Sequence, residues 1–390
     1  MLGAGTMGAG IAQVAIEAGF TVLLHDPLPG AVDRARERIS GFLARKVEKG
    51  QLTEADAGAA LGRLTEAADL QVLADTELVI EAIPEELDLK RDAFRRLDAA
   101  APPATILASN TSSLSIESIA AATKHPQRVL GMHFFNPVPV MALVELIPCR
   151  ATAPSHTDAA GDMVRRLGKT AVLAADTPGF IVNRVARPYY LEALRIAGSG
   201  SAGVDRIDEA MRGAGFRMGP FELVDAIGAD VNLAVSRSVY EAFGQASRYA
   251  PHPLQEQLVA AGRLGRKTGA GFYDYGADGA RGAPWAGLPN VGPQPMPAAE
   301  IAGRILATIV NEAASAVEEG VATPEAVDLA MKLGTNYPRG PLEWGEAIGL
   351  ASVVATLDRL DAEQPDGRYG AVPLLRRLAE RGGSFFAAHR

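Results

Sequence analysis

One cysteine, Cys149, serves the whole 390-residue chain, so no internal disulfide can form and the fold must be held by its core. A reducing, cytoplasmic setting is the expectation. Histidine is scarce as well: besides His133 there are only His25, His125, His156, His252 and His389, at no metal-ligand spacing, and with a single thiol no zinc site is visible. No uninterrupted apolar stretch reaches the roughly 20 residues of a spanning helix, and no basic segment with a signal-like apolar core opens the chain. The protein is therefore expected to be soluble, with no membrane partner. Positive charge is in deficit, and a net charge of −8 argues against generic nucleic-acid or anionic-membrane binding. Apolar residues are plentiful at 48%, enough for packed cores, over a length that predicts two or three domains.

Strand-like segments at 21–25, 78–81, 105–109, 128–133, 144–148 and 170–174 alternate with helical ones, and a long helical stretch from Pro29 to about Glu66 breaks near residues 48–50. This pattern predicts an α/β fold, a Rossmann-type doubly wound and mainly parallel sheet over residues 1–176, whose ligand lies beyond the strands' carboxyl ends. Helical spacing takes over in a second domain, 177–275. A Gly, Pro and Ala-rich stretch, 276–297, reads as a linker, and 298–390 as a second helical domain. The two helical segments are related, since 207–228 matches 327–349 with one residue inserted. Such a duplication can pack about a pseudo-two-fold axis, giving a monomer with a fused pseudo-dimer or, alternatively, a homodimer. A gap-free extension sets Gly303 opposite Asn183, so the second copy reads as architectural.

Near the start, Gly3, Gly5 and Gly8 form G-x-G-x-x-G at the opening of an apolar helical pattern. These glycines let a pyrophosphate approach the unpaired N–H groups at a helix start. Asp26, at the end of the next strand, is placed to accept from ribose hydroxyls and to repel a 2′-phosphate, which favours NAD over NADP. Only Met1 and Leu2 precede the first glycine, so most of a first strand is missing from the sequence as given. An upstream start or a truncation is the expectation; a chain truly beginning at Met1 would put NAD affinity and stability in doubt. Further on, the run 109–147 sets a serine cluster, His133 and Glu145 on an apolar scaffold. An imidazole beside a carboxylate makes a general base, with a hydroxyl as the expected proton source.

In GAGTMGAGIA, SNTSS, HFFNPVPVMALVE, DTPGFIVNR, MGPFELVD and GRKTGAGFYDY the chain resembles the L-3-hydroxyacyl-CoA dehydrogenase family, over essentially all of residues 1–275. The duplicated tail, with FIVNRVARPYY and NYPRGPLEWG, looks like the bacterial 3-hydroxyadipyl-CoA and 3-hydroxybutyryl-CoA dehydrogenases of phenylacetate catabolism. The resemblance implies NAD as cofactor, an acyl-CoA substrate and reversible oxidation to the 3-oxoacyl-CoA, in a site between the domains. It makes His133 the base, Glu145 its orienting carboxylate, Ser112 a donor to the reacting oxygen and Asn183 the amide completing the site. It assigns Asp26 to the ribose, Glu85, Lys90, Asn110, Asn136 and Lys267 to the cofactor, and Lys49 to the CoA phosphates, with Phe42 replacing the serine that accompanies that lysine. For a substrate with a second carboxylate, Arg184, Arg187 and Arg217 are unranked candidate cations.

Plainer readings stand beside these. His133 is otherwise a core histidine, Glu145 a lysine partner, Ser112 a helix cap, Asn183 a helix-start residue, and Glu85, Lys90 and Lys49 exposed charges. As function, the rivals are a dehydrogenase of free 3-hydroxy acids, for which a lysine base in the helical domain is usual, and a non-catalytic NAD-binding or structural protein.

Overall fold

The computed structural model describes residues 1–386, apart from the side chains of residues 74 and 75; His389 lies outside the described residues. The chain forms two compact units, Met1–Phe180 and Ile181–Arg390.

In the first unit the strands are β1 (Val22–Leu24), β2 (Leu64–Glu66), β3 (Leu78–Glu81), β4 (Ile106–Ser109), β5 (Val129–Phe134), β6 (Leu143–Pro148) and β7 (Thr170–Leu173). β1 and β2 form one parallel pair, and β3 to β7 lie side by side in chain order, parallel throughout except that β5 and β6 are antiparallel. Leu2 bridges the two groups, pairing in parallel with His25 on one side and Glu81 on the other. Main-chain bonds hold this short segment from both flanks: Leu2 N–H donates to Ile80 at 2.9 Å, and Gly3 N–H to His25 at 2.8 Å. The doubly wound sheet is thus continuous through Leu2, with its glycine turn at the strands' carboxyl end.

Apolar strand residues with no exposed face, such as Leu24, Ala108, Leu130 and Val144, pack against Ile11 and Ile16 of helix Thr6–Glu17 and Ile39 of helix Ala31–Glu48. Burial on both faces is what makes parallel strands read as continuous apolar runs. The stretch expected to stay helical to Glu66 does not. Its first helix stops at Lys49 and Gly50, a second runs Glu54–Gly62, and Leu64–Glu66 then pairs with β1 as an edge strand. Three residues are too few to display an alternating pattern, so this strand exists only through its partner.

The second unit is helical, with one small hairpin. Residues 276–297 are more than a linker: β9 (Arg281–Pro284) pairs antiparallel with β8 (Tyr273–Tyr275), and the N–H groups of Gly292 and Met296 donate to Gly200 and Ser201. The duplication is plain in the details. Asp208 accepts from the N–H groups of Phe221 and Glu222 at the start of helix Pro220–Ile227, and Asp328 does the same for Leu342 and Glu343 at helix Pro341–Ile348.

Contacts between the copies are reciprocal. Arg184 and Tyr249 of the first both donate to Glu312 of the second, at 2.6 and 2.5 Å, while Arg304 and Tyr369 of the second donate to Glu192 of the first. Residue i meeting j while j′ meets i′ is the signature of an isologous interface, here closed within one chain.

His252 caps helix Pro253–Ala260, its Nδ1 accepting from Leu254 N–H at 3.2 Å. Burial, together with Arg195 and Arg368, lowers this imidazole from 6.5 to about 4. The fold therefore holds it neutral while the unfolded chain takes up the proton first, so stability present above pH 6.5 is lost as pH falls towards 4. His252→Asn keeps a capping oxygen that does not titrate, and thermal melts at pH 7.5 and 5 are expected to differ less in this variant than in the wild type. An equal drop in both would show that the acid sensitivity arises elsewhere.

Candidate active site

The glycine turn is shaped for a close ligand. Gly3 has φ +98°, and a Cβ there would come within 2.5 Å of the Ala82 carbonyl oxygen; a Cβ on Gly8 would come within 1.9 Å of the Gly3 oxygen. Gly5 is different, since nothing lies within 4 Å of where its Cβ would be. It is the N-cap of helix Thr6–Glu17, no side chain caps that helix, and the space where a Gly5 side chain would stand is open. That is a cradle for a pyrophosphate. Asp26 sits at the carboxyl end of β1 and ties the turn together, accepting from the N–H groups of Ala4 at 2.8 Å and Leu28 at 2.9 Å. The residues present fit a dinucleotide.

A buried network stands behind this turn. Glu81, at the end of β3, accepts from Lys90 Nζ at 2.5 Å, Ser109 Oγ at 2.6 Å and Ile83 N–H at 2.7 Å. Lys90 is fully enclosed, and its second partner is Glu85 at 3.3 Å. The Lys90 ammonium is thus held between two carboxylates, and the side chain is 1% exposed. Glu85 in turn grips the serine loop, its Oε1 accepting from Thr111 Oγ1 at 2.5 Å, Ser112 N–H at 3.0 Å and Ser113 Oγ at 3.0 Å. Burial pushes the Glu85 carboxyl up, but the charge of Lys90 and the bonds from Thr111, Ser112 and Ser113 outweigh it and hold the group below its ordinary range.

His133 and Glu145 face each other across the antiparallel β5–β6 pair, with His133 Nδ1 2.7 Å from Glu145 Oε2. Glu145 is wholly buried and His133 is 6% exposed, its ring 4.4 Å from that of Phe135 and 5.7 Å from that of Phe180. A carboxylate on Nδ1 places that proton and leaves Nε2 as the basic nitrogen. No protein group among the described residues bonds Nε2. Close by in the fold, Asn110 accepts from Phe134 N–H at 2.9 Å, joining the ends of β4 and β5.

Ser112 is not the helix cap. Ser115 caps helix Ile116–Ala120, and Asp176 accepts from the N–H groups of Ile116 and Glu117, while the Ser112 hydroxyl makes no hydrogen bond among the described residues. Asn136 is exposed after β5, and Lys49 is exposed at the end of helix Ala31–Glu48; Phe42, on that helix, has its ring 5.6 Å from Arg45.

In the second unit Asn183 is half-buried in the short helix Val182–Val185, its side chain without a partner among the described residues. Lys267 is paired with Asp230 at 2.6 Å. Of the three candidate cations, Arg184 is taken by Glu312 and Glu319 inside the helical core, so it is removed from that role. Arg217 is exposed and Arg187 buried. Sequence reasoning missed Glu81 and Asp176. The signal for Glu81 was present, because a carboxylate closing the apolar run LVIE is the same anomaly that drew attention to Glu145.

A dinucleotide cradle, an acidic residue at the neighbouring strand end and a buried histidine–carboxylate pair define an NAD-dependent oxidoreductase acting on an alcohol. Comparison with known proteins narrows the class. The family model "3-hydroxyacyl-CoA dehydrogenase, NAD binding domain" matches residues 1–177, and "3-hydroxyacyl-CoA dehydrogenase, C-terminal domain" matches 179–275 and again 301–384. The 3-hydroxyadipyl-CoA dehydrogenase of Escherichia coli K12 is 38% identical, over 97% of this chain and 96% of its own. A probable 3-hydroxybutyryl-CoA dehydrogenase of Bacillus subtilis is 45% identical over 70% of this chain and 95% of its own. In structure, the crystal structure of a 3-hydroxybutyryl-CoA dehydrogenase from E. coli K12 is similar at a TM-score of 0.88, with 37% identity and 97% of both chains covered. The chain belongs to the 3-hydroxyacyl-CoA dehydrogenase family. Among the described residues no helix is long and apolar enough to cross a membrane.

Proposed function

We propose that His133 is the general base in the oxidation of an L-3-hydroxyacyl-CoA to the 3-oxoacyl-CoA, and that its pairing with Glu145 is the observation carrying the reading. Nε2 takes the 3-hydroxyl proton. Glu145 keeps Nδ1 protonated and stabilises the imidazolium that results. NAD, when bound, accepts the hydride. The Ser112 hydroxyl and the Asn183 amide, both without side-chain partners among the described residues, are assigned as donors to the oxygen as it becomes a carbonyl. Asn110, Asn136, Lys267, Glu85 and Lys90 are assigned to the cofactor, and Lys49 to the CoA phosphates, with Glu85 and Lys90 also shaping the serine loop.

Asp26 is assigned to the ribose hydroxyls. Asp26→Ala is expected to weaken NAD about tenfold and to narrow the preference over NADP, because both the acceptor and the repelling charge are lost. Titration of the two cofactors by fluorescence decides it, and an unchanged preference would remove the assignment.

The long-range similarity to a protein named for hydroxyadipyl-CoA supports a place in the catabolism of dicarboxylic or fatty acyl-CoA esters, as in phenylacetate breakdown; the single cysteine supports a reducing, cytoplasmic location. The test is NADH absorbance with 3-hydroxyacyl-CoA esters of several lengths, one of them dicarboxylic, beside the matching free acids. Turnover of the esters is expected. Turnover of free acids alone would favour a hydroxy-acid dehydrogenase, and NAD binding without any turnover a non-catalytic protein.

A further inference from the structure

Arg187 is 5% exposed, yet no carboxylate pairs with it among the described residues. Its Nε donates to the Asn183 carbonyl at 2.9 Å and its Nη1 to Ser236 Oγ at 3.3 Å, which uses two of a guanidinium's five N–H donors. The ring of Tyr190 lies 4.9 Å from the charged carbon. The same helical core holds an orphaned donor: Tyr337 is 5% exposed and its hydroxyl has no partner among the described residues. Ring contacts connect the two: Tyr190, which lies over Arg187, is 5.6 Å from Tyr189, and Tyr189 is 5.8 Å from Tyr337. A buried cation without a counter-charge costs several kcal/mol, and a fold keeps one where something else supplies the anion.

The duplication provides an internal control. Buried Asn232, Ser236 and Gln255 join Arg187 in one polar cluster, Gln255 Nε2 donating to Asn232 Oδ1 at 2.8 Å and to Ser236 at 3.3 Å. In the second copy the corresponding positions are Ala307, Val353, Leu357 and Leu375, all buried and all apolar. The same helices thus pack well without polar groups at these places. The cluster is absent from the copy that also lacks the site asparagine, where Gly303 stands opposite Asn183.

We propose that Arg187, with the Tyr337 hydroxyl, is the receptor for the terminal carboxylate of a dicarboxylic acyl-CoA, and so a specificity-determining residue of the first helical copy. Arg187 opens the helix Arg187–Gly198, directly after the short helix that carries Asn183, and its Nε reaches back to the Asn183 carbonyl at 2.9 Å, which sets the guanidinium beside that residue. The carboxylate carbon of such a substrate lies only three bonds of about 1.5 Å beyond the hydroxyl-bearing carbon, so its receptor must stand close to Asn183. The inference rests on the assignment of Asn183 to the reacting oxygen. Arg184 and Arg217, the other cations of this region, are respectively consumed by Glu312 and Glu319 and left on the surface.

Calorimetric binding of adipyl-CoA and hexanoyl-CoA, which differ in the terminal carboxylate, tests the proposal on the full-length protein. The wild type is expected to favour adipyl-CoA, and R187A, which installs the second copy's side chain, to lose about 30-fold in affinity for adipyl-CoA while hexanoyl-CoA changes less than about twofold. Should R187A fail to fold, R187Q, which keeps length and hydrogen bonding without the charge, carries the same expectation. Equal affinity of the wild type for both esters, or an equal loss of both in the variants, would overturn the proposal and leave Arg187 a packing residue. A loss confined to NAD would also overturn it, giving the cation to the cofactor. Neither ester has a 3-hydroxyl, so binding is read apart from chemistry: Arg187-dependent capture of adipyl-CoA with no turnover of any hydroxyacyl-CoA would sink the dehydrogenase mechanism alone.

Discussion

His133→Ala is expected to lower kcat by about 10²–10⁴-fold, the range for loss of a positioned general base, while NAD binding is expected to stay within about twofold of the wild type. The division follows from where the side chain sits. His133 lies on the antiparallel β5–β6 pair with its Nδ1 committed to Glu145, whereas the cofactor is assigned to the turn of Gly3, Gly5, Gly8 and Asp26, much earlier in the chain. On the proposed mechanism, removing the imidazole leaves that turn intact and takes away the acceptor for the hydroxyl proton. Glu145→Gln is the milder companion, since an amide can still meet Nδ1 but cannot stabilise the imidazolium. Stopped-flow turnover and NAD titration on the same preparations check both, and an equal fall in turnover and cofactor affinity would mean that His133 holds the fold and is not the base.

The second large effect is on stability. Lys90→Met is expected to cost about 3–5 kcal/mol, because it leaves the Glu81 carboxylate buried without its counter-charge. Denaturant unfolding measures this directly. The loss should also reach the site, for Lys90 is the link between Glu81 and Glu85, and Glu85 holds Thr111, Ser112 and Ser113 in place. A weaker serine loop raises the KM for the acyl-CoA in whatever fraction remains folded. Full stability in the variant would show that Glu81 takes up a proton or finds water, and that the pair is dispensable. Replacing Glu81 and Lys90 together by apolar residues should restore part of the stability, though not the loop geometry.

Much of this was legible in the residue order because the signals are local. The glycine spacing, the helix behind it and Asp26 at the next strand end are read within a few turns of chain, and the structure places them as one cradle. The duplication, too, shows in the letters, down to Gly219 opposite Gly340. What stayed hidden depends on partners distant in sequence. β2 has three residues and no pattern of its own, and becomes a strand because β1 lies beside it. Lys90 looks like an exposed helix charge until Glu81 and Glu85 are brought over it. Arg184, Arg187 and Arg217 are indistinguishable by composition, and burial and partners alone separate them.

The order of amino acids by itself determined the sheet-and-helix alternation, the dinucleotide turn and the chemical types available for proton transfer, since these follow from periodicity, from glycine's missing side chain and from functional groups that keep their nature wherever they stand. Only the tertiary structure decided which charges are spent on one another. Glu145 opposite His133 is a matter of strand register, the exchange of Arg184 for Glu312 and Arg304 for Glu192 a matter of how two copies face, and the unpaired state of Arg187 a matter of which side chains surround it. Electrostatic energy depends on distance and on exclusion of water, and neither quantity is carried by the linear order of the chain.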